Sequence, residues 1–177
     1  EDILKKDQGV KALFKQQSSR HACVIGSGPS LDLCMDQLLH YTSSAPAPSV
    51  IAVDTAFAPL LKAGVNVDCV VSIEKKINQR WLPTDESEGL KLIYTPVVPN
   101  DVLLAWKGPR YASFTQTELH QSSLYFDPSS CLFCGGSVIH TATDLALKMG
   151  FQEISFWGAD FGYPCLLYTS PSPRDQR

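Results

Sequence analysis

Short apolar runs alternate along the chain with segments whose apolar residues recur every three or four positions. An apolar run of four or five residues that ends at a glycine or an acidic residue is typical of a buried strand. This pattern predicts strands over 22–25, 50–53, 69–73, 91–94 and 153–157, with shorter ones at 111–114 and 124–126. Because helix-like segments separate the strands, we expect an α/β, Rossmann-like, open and mostly parallel sheet with helices on both faces.

Proline and glycine mark where the helices between these strands begin and end. Pro29 suits a first helical turn, where its missing N–H would have no partner in any case. Gly64 and Gly150 suit the left-handed residue that commonly ends a helix. The predicted helices cover 31–40, 55–63, about 100–106 and 137–149.

The same patterns divide the chain into three parts. Residues 1–20 are polar and are expected to form a lead-in helix or connector, and residues 21–164 form the α/β domain. Residues 165–177, CLLYTSPSPRDQR, abandon the alternation and resemble a translated adapter read-through, so we expect a non-native tail. Because the chain also begins with Glu1 rather than Met, we expect the domain to be truncated.

Composition and charge exclude several classes of protein. The chain is 44% hydrophobic and 19% charged, which is typical of a soluble globular domain. Its net charge of -3 argues against nucleic acid as a partner, and no apolar run is long enough to predict a membrane span. Cys131 and Cys134 have metal-like spacing, but no second pair completes a zinc site. We therefore expect no bound metal, reduced thiols and a cytoplasmic location.

Glycine, serine and acidic residues follow four of the predicted strands. They are the Gly26-Ser27-Gly28 turn, Asp54, Glu74 and the Gly158-Ala159-Asp160 turn. The carboxyl ends of parallel strands meet at one edge of a sheet, and ligands of open α/β sheets bind beyond that edge. The sequence therefore predicts a ligand site there.

The first of these turns, GSGPSL, fits neither of two common phosphate-binding loops. Leu31 stands where a dinucleotide fingerprint needs a small residue, and a Walker loop would need a lysine. Two glycines still allow the backbone to approach an anionic ligand, to which Ser27 and Ser30 offer hydroxyls and the next helix offers unpaired N–H groups. Asp54 either accepts hydrogen bonds from a ribose or caps the helix that follows it.

A second glycine-serine turn, Gly135-Gly136-Ser137, opens the helix predicted over 137–149. Ser137 either caps this helix or contacts the same ligand together with the two glycines. His140, on the first turn, either contacts the ligand or is a packed or surface histidine. The chain contains neither an HExxH motif nor a GxSxG elbow, which excludes zinc peptidases and α/β-hydrolases.

Three stretches together resemble one family: VIGSGPSLD at 24–32, IAVDTAFAPLLKAGVNVDCVVSIE at 51–74, and GGSVIHTATDLALKMGFQEISFWGADFGYP at 135–164. The family is that of the MptE-like domain, which archaeal 6-hydroxymethylpterin diphosphokinase shares with bacterial motility accessory factors. The resemblance is nearest to the motility accessory factors, which are flagellin glycosyltransferases that attach nonulosonic acids. It implies that residues 21–164 are a Rossmann-type nucleotide-binding domain.

The last stretch also resembles bacterial sialyltransferases that use CMP-sialic acid, and this likeness implies roles for individual residues. The first turn would hold the nucleotide phosphate and ribose through Gly26, Ser27, Gly28, Pro29 and Ser30. Gly135, Gly136 and Ser137 would close on the nucleotide from the other side. Asp160 and Phe161 would line the donor pocket, and Glu74 would face the sugar or the acceptor. Glu74 and Asp160 are the candidate catalytic residues, and the sialyltransferase base would follow Pro164.

The resemblance implies a CMP-linked nucleotide-sugar as donor and a protein hydroxyl, possibly on flagellin, as acceptor. One alternative is a pterin diphosphokinase that uses Mg-ATP. That enzyme is expected to need a carboxylate cluster after the third strand, where residues 72–76 provide one acid, Glu74, beside two lysines. A second alternative is a nucleotide-binding module without catalysis.

Overall fold

The computed structural model describes residues 2–17, 19–123 and 125–162. Within them the strands are β1 (Gln8–Gly9), β2 (His21–Ile25), β3 (Ser49–Val53), β4 (Cys69–Ser72), β5 (Lys91–Tyr94), β6 (Arg110–Ala112) and β7 (Glu153–Trp157). The α-helices are α1 (Asp2–Lys6), α2 (Ser30–Ser43), α3 (Asp54–Lys62), α4 (Asn100–Ala105), α5 (Glu118–Gln121) and α6 (Val138–Met149). Short 3₁₀ turns cover Val10–Leu13 and Pro128–Ser130.

All seven strands form one parallel sheet in the order β1-β6-β5-β4-β3-β2-β7. From β2 to β6 each strand lies beside the one before it, and β7 then returns to the other side of β2. The strand order therefore reverses between β2 and β7. In open α/β sheets the ligand crevice lies at such a reversal, beyond the carboxyl ends of the strands.

The central strands are buried along their whole length, as expected for a parallel sheet that helices cover. Helix α6 packs across β2, β3 and β4, whereas α3 packs on β3 and β4, and α2 packs on β7. Gly150 ends α6 with a φ of 97°, the left-handed conformation that the sequence predicts for it. The predicted α/β, Rossmann-like parallel sheet is confirmed. No helix among the described residues has the length and apolar character to cross a membrane.

The two shorter predicted strands were wrong, one in its bounds and the other in being a strand at all. The strand predicted over 111–114 is Arg110–Ala112, and Phe114 forms only an isolated bridge to Cys131. At 124–126, residue 124 lies outside the described residues, and Tyr125 and Phe126 are not in a strand. Phe126 instead packs its ring edge-on against that of Phe114, 5.7 Å away. An apolar loop that packs on the core therefore produced a strand-like pattern.

The lead-in residues reach the far edge of the sheet, where β1 pairs with β6. Two residues are too few for a periodic pattern, so the sequence did not predict this strand. Asp7 fixes the segment: its carboxylate accepts two hydrogen bonds of 2.8 Å from the Arg110 guanidinium and one of 2.9 Å from the Tyr94 hydroxyl. The Asp7 side chain is only 7% exposed and that of Arg110 is 18% exposed. The hydrogen bonds to this carboxylate raise the pKa of Arg110 above its ordinary value, so the guanidinium keeps its charge.

Replacing Asp7 tests this anchor. Asp7→Ala leaves the Arg110 guanidinium and the Tyr94 hydroxyl without their acceptor in a largely buried place, so we expect the free energy of unfolding to fall by about 3–5 kcal/mol in urea titrations. The matched control is Glu153→Ala, which breaks the exposed pair with Arg20 and should cost no more than about 1 kcal/mol. Equal losses from the two variants would contradict the anchoring role of Asp7.

Candidate functional site

A cleft of about 530 Å³ lies at the carboxyl ends of β2 and β7, where the strand order reverses. Its lining comes mainly from the 26–29 turn after β2, the 137–139 start of α6 and the residues after β7, with Asp32 of α2 and Val53 at the end of β3. The structure thus brings the first glycine turn, Ser137 and the segment after β7 together at this edge, whereas Gly135 and Gly136, also predicted to contact the ligand, do not line the cleft.

Backbone hydrogen bonds join the turn after β2 to the segment after β7. The Gly26 N–H donates to the Trp157 carbonyl and the Gly28 N–H to the Gly158 carbonyl, both at 2.8 Å. A Cβ atom at Gly26 would lie 2.5 Å from the Gly158 carbonyl oxygen, and one at Gly28 would lie 2.7 Å from the same atom. The two glycines therefore allow the protein's own backbone to approach this closely, and their N–H groups are engaged within the protein.

Asp160 occupies the N-terminus of α2. Its Oδ2 accepts a 2.7 Å hydrogen bond from the Ser30 N–H, where no side chain of α2 itself provides a cap. Hydrogen bonding with Ser30 holds the pKa of the Asp160 carboxyl below its ordinary value, so it is ionised at neutral pH. A second acid, Asp32, lies in the first turn of α2 and lines the cleft. The positive end of this helix dipole therefore faces carboxylates of the protein itself.

The N-terminus of α6 is different. Ser137 precedes the helix and lines the cleft, but its side chain makes no capping hydrogen bond, and the first turn holds no acid. Val138 and Ile139 also line the cleft, and the first N–H groups of a helix have no partner within it. Because a helix N-terminus carries partial positive charge, this is the side of the cleft that suits an anion.

Asp54 and Glu74 do not line the cleft, although Asp54 directly follows Val53, which does. Asp54 is 2% exposed, and it accepts hydrogen bonds from the Thr55 N–H at 2.8 Å and the Ser72 hydroxyl at 2.7 Å. Burial raises the pKa of its carboxyl. Asp54 is the first residue of α3, and its carboxylate joins the first turn of this helix to β4. Glu74 is exposed, and its carboxylate accepts from the N–H of the next residue, Lys75.

His140 packs between two aromatic rings beside the second glycine turn. Its ring stacks on that of Phe161, with the two centroids 5.8 Å apart. The Phe133 ring is tilted relative to the imidazole, with the two centroids 6.2 Å apart. A Cβ atom at Gly135 would lie 2.7 Å from His140 Nδ1, so the glycine gives the ring its place. Gly136 has a φ of 85°, which favours glycine at the turn.

Phe161 separates the cleft from an apolar cavity of about 550 Å³. The cavity is lined mainly by exposed aromatic and aliphatic side chains, among them Phe133, Leu147 and Phe156. Sequence reasoning missed this cavity because its rings come from three separate segments and none belongs to a recognisable motif. The described residues gather no group of three or more His, Cys, Asp or Glu side chains that could hold a metal ion.

The parallel sheet, its reversal between β2 and β7, and the cleft at that reversal define a doubly wound α/β protein of the Rossmann-like class. The sequence matches the family model described as 6-hydroxymethylpterin diphosphokinase MptE-like over residues 1–165. The chain therefore belongs to this family, and the membership expected from its motifs is confirmed.

One solved structure of similar fold is that of the MAf glycosyltransferase from Magnetospirillum magneticum AMB-1. The two share 20% sequence identity with a TM-score of 0.62, and the match covers 98% of this chain and 28% of that chain. This chain therefore spans little more than a quarter of the length of that protein. No curated protein matches the sequence.

Replacing Gly28 tests the contact between the two turns. In Gly28→Ala the added Cβ would lie 2.5 Å from Asp160 Oδ2 and must push either the carboxylate or the Gly158 carbonyl aside. We expect thermal or urea unfolding to show a loss of about 1–3 kcal/mol. Gly162→Ala is the control, because the nearest atom to its Cβ is 3.7 Å away, and it should stay within about 0.5 kcal/mol of the unmodified protein. If both variants were equally stable, the close approach would not constrain the fold.

Proposed function

We propose that this chain is the nucleotide-sugar-binding domain of a glycosyltransferase of the motility accessory factor type. Its donor would be a CMP-linked nonulosonic acid and its acceptor a protein hydroxyl, such as one on flagellin. The observation that carries the proposal is the cleft at the β2–β7 reversal, where the uncapped N-terminus of α6 faces an open polar space. Family membership and the fold shared with the Magnetospirillum glycosyltransferase support it.

In this proposal the phosphate binds at the start of α6. The Ser137 hydroxyl donates to a phosphate oxygen. The Val138 and Ile139 N–H groups, at the positive end of the helix dipole, stabilise the same negative charge. During transfer the bond between the sugar's anomeric carbon and the phosphate oxygen breaks, and the phosphate keeps the electron pair. The acceptor oxygen bonds to the anomeric carbon and releases its proton to solvent water. Donors that are fixed before reaction stabilise the charge that develops on the leaving phosphate.

The two candidate catalytic carboxylates do not suit the role of general base in this arrangement. Asp160 is committed to the Ser30 N–H, and its lowered pKa makes it a weak base. Glu74 is exposed and does not line the cleft. The roles that the described residues support are donor binding and stabilisation of the leaving group.

The alternative is the activity that gives the family its name, 6-hydroxymethylpterin diphosphokinase, with Mg-ATP as donor. Mg²⁺ binds carboxylate oxygens together with substrate phosphates. The described residues gather no group of acidic side chains that fits this ion, and the acid after β4, Glu74, stands alone beside two lysines. We therefore place the diphosphokinase second, and a nucleotide-binding module without catalysis third.

Replacing Ser137 tests where the phosphate binds. Asp caps helices as well as Ser does, so Ser137→Asp should keep α6 stable while its charge repels the phosphate. We expect calorimetric titration with CMP to show at least tenfold weaker binding, and about fivefold weaker binding for Ser137→Ala, which loses one hydrogen bond. The control is Ser44→Ala, which replaces an exposed serine just after the C-terminus of α2. This variant should bind CMP as the unmodified protein does.

The same titration separates the alternatives. Unchanged CMP affinity in Ser137→Asp would contradict the phosphate position. Tighter binding of Mg-ATP than of CMP, lost on addition of a chelator, would contradict the glycosyltransferase and favour the diphosphokinase. Binding of CMP-sugar without transfer to any acceptor would favour the module without catalysis.

A further inference from the structure

Trp81 lies beside the glycine turn on the side away from β7. It lines a third cavity, of about 310 Å³, together with Ser27, Gly28 and Pro29 of the turn and Thr55 at the start of α3. The three turn residues also line the main cleft. A ligand in the cleft can therefore pass over the turn and reach the indole ring.

The loop that carries Trp81 is fixed to the core on both sides. Ile77 is 4% exposed and Leu82 is fully buried. The N–H groups of Trp81 and Leu82 both donate to the Asn78 carbonyl, at 3.1 and 3.0 Å. Between these anchors the Trp81 side chain remains 42% exposed, which is unusual for a residue that can bury so much apolar area.

Arg80 adds charge to the same surface. Its guanidinium lies over the Trp81 ring at 5.6 Å from the centroid, a cation–π arrangement that holds the two side chains together. An indole ring and a guanidinium plane are both surfaces on which planar aromatic ligands stack. The cavity floor is polar, because the Thr55 hydroxyl donates to the Ser27 hydroxyl at 2.7 Å.

The topology gives this cavity its place along a bound nucleotide. In doubly wound sheets the ligand lies in the crevice at the strand reversal, from which it can extend over the neighbouring strand on the side of the first glycine turn. Here that neighbour is β3, and Thr55 follows its end. Asp32 lines both cavities, so its carboxylate can accept from ribose hydroxyls between the two.

We propose that the cavity beside Trp81 is the nucleobase subsite, in which the base of the bound nucleotide stacks on the Trp81 ring. The inference rests on the proposed function, since it assumes that a nucleotide phosphate occupies the cleft. It adds the position of the base and the ring on which it stacks, Trp81, which neither the glycine turns nor the family motifs indicate.

Two probes that differ only by the base test the subsite in the 177-residue chain. Trp81→Ala should weaken CMP binding by about 5- to 100-fold, the cost of one stacked base, and should leave ribose 5-phosphate binding within about twofold. Trp81→Phe keeps an aromatic face and should bind CMP within about threefold of the unmodified protein. Leu104→Ala is the control: it removes an even more exposed apolar side chain, on α4, and should change neither affinity.

Tryptophan fluorescence gives a second measurement that does not depend on the stability of Trp81→Ala. CMP should quench the emission of the unmodified protein, ribose 5-phosphate should not, and Trp81→Phe should abolish the quenching. If Trp81→Ala binds CMP as the unmodified protein does, the subsite is wrong while the proposed function stands. If Trp81→Ala weakens the binding of CMP and of ribose 5-phosphate equally, Trp81 supports the turn rather than the base, and the subsite is again wrong. If the unmodified protein binds neither CMP nor CMP-sugar, both proposals fall.

Discussion

The contact between the turn after β2 and the segment after β7 is the constraint on which the site depends. The Gly28 N–H binds the Gly158 carbonyl, and the Asp160 carboxylate caps α2 at the Ser30 N–H. This contact joins the two strands between which the sheet order reverses, so it fixes the floor of the cleft. It also occupies N–H groups that a glycine turn would otherwise offer to a ligand, and it places a negative charge at the start of α2. The N-terminus of α6 is then the side of the cleft that suits a phosphate.

Much of the fold followed from sequence pattern alone. Four of the five longer strands, β2 to β5, carry apolar runs that reflect their burial, β7 is only partly buried, and Gly150 marked the end of α6. The pattern failed where partners rather than periodicity make the structure. The two residues of β1 pair with β6 because Asp7 is held by Arg110, and the apolar residues near Phe126 pack on the core as a loop.

The candidate site was predictable in position but not in its chemistry. Strand ends rich in glycine, serine and acids indicated the correct edge, and the strand reversal placed the cleft there. The sequence could not tell that the nearest atoms to Gly26 and Gly28 belong to Gly158, because such backbone contacts leave no trace in residue type. It likewise left two alternative roles for Asp54, whose carboxylate is buried and bonded to Ser72 and to the Thr55 N–H. The sequence did not predict a role for Trp81, because this residue lies in an irregular loop without a motif. The arginine directly before this aromatic residue was the one usable signal.

The resulting picture is a composite site at one sheet edge. A polar cleft at the reversal joins a small aromatic cavity at Trp81 on one side, and Phe161 separates it from a larger apolar cavity on the other. In the proposed function the phosphate lies at the start of α6, and in the further inference the base stacks on the Trp81 ring.

The central claim, that a nucleotide phosphate binds at α6 and not at the glycine turn, is tested most directly by amide NMR of the isotope-labelled chain titrated with CMP. The account predicts that the amide signals of Ser137, Val138 and Ile139 shift most. The amides of Gly28 and Ser30 should keep their protection from hydrogen exchange, because they remain bonded to Gly158 and Asp160. The opposite pattern, in which the Gly28 and Ser30 amides shift most and lose protection while the start of α6 is unchanged, would contradict it.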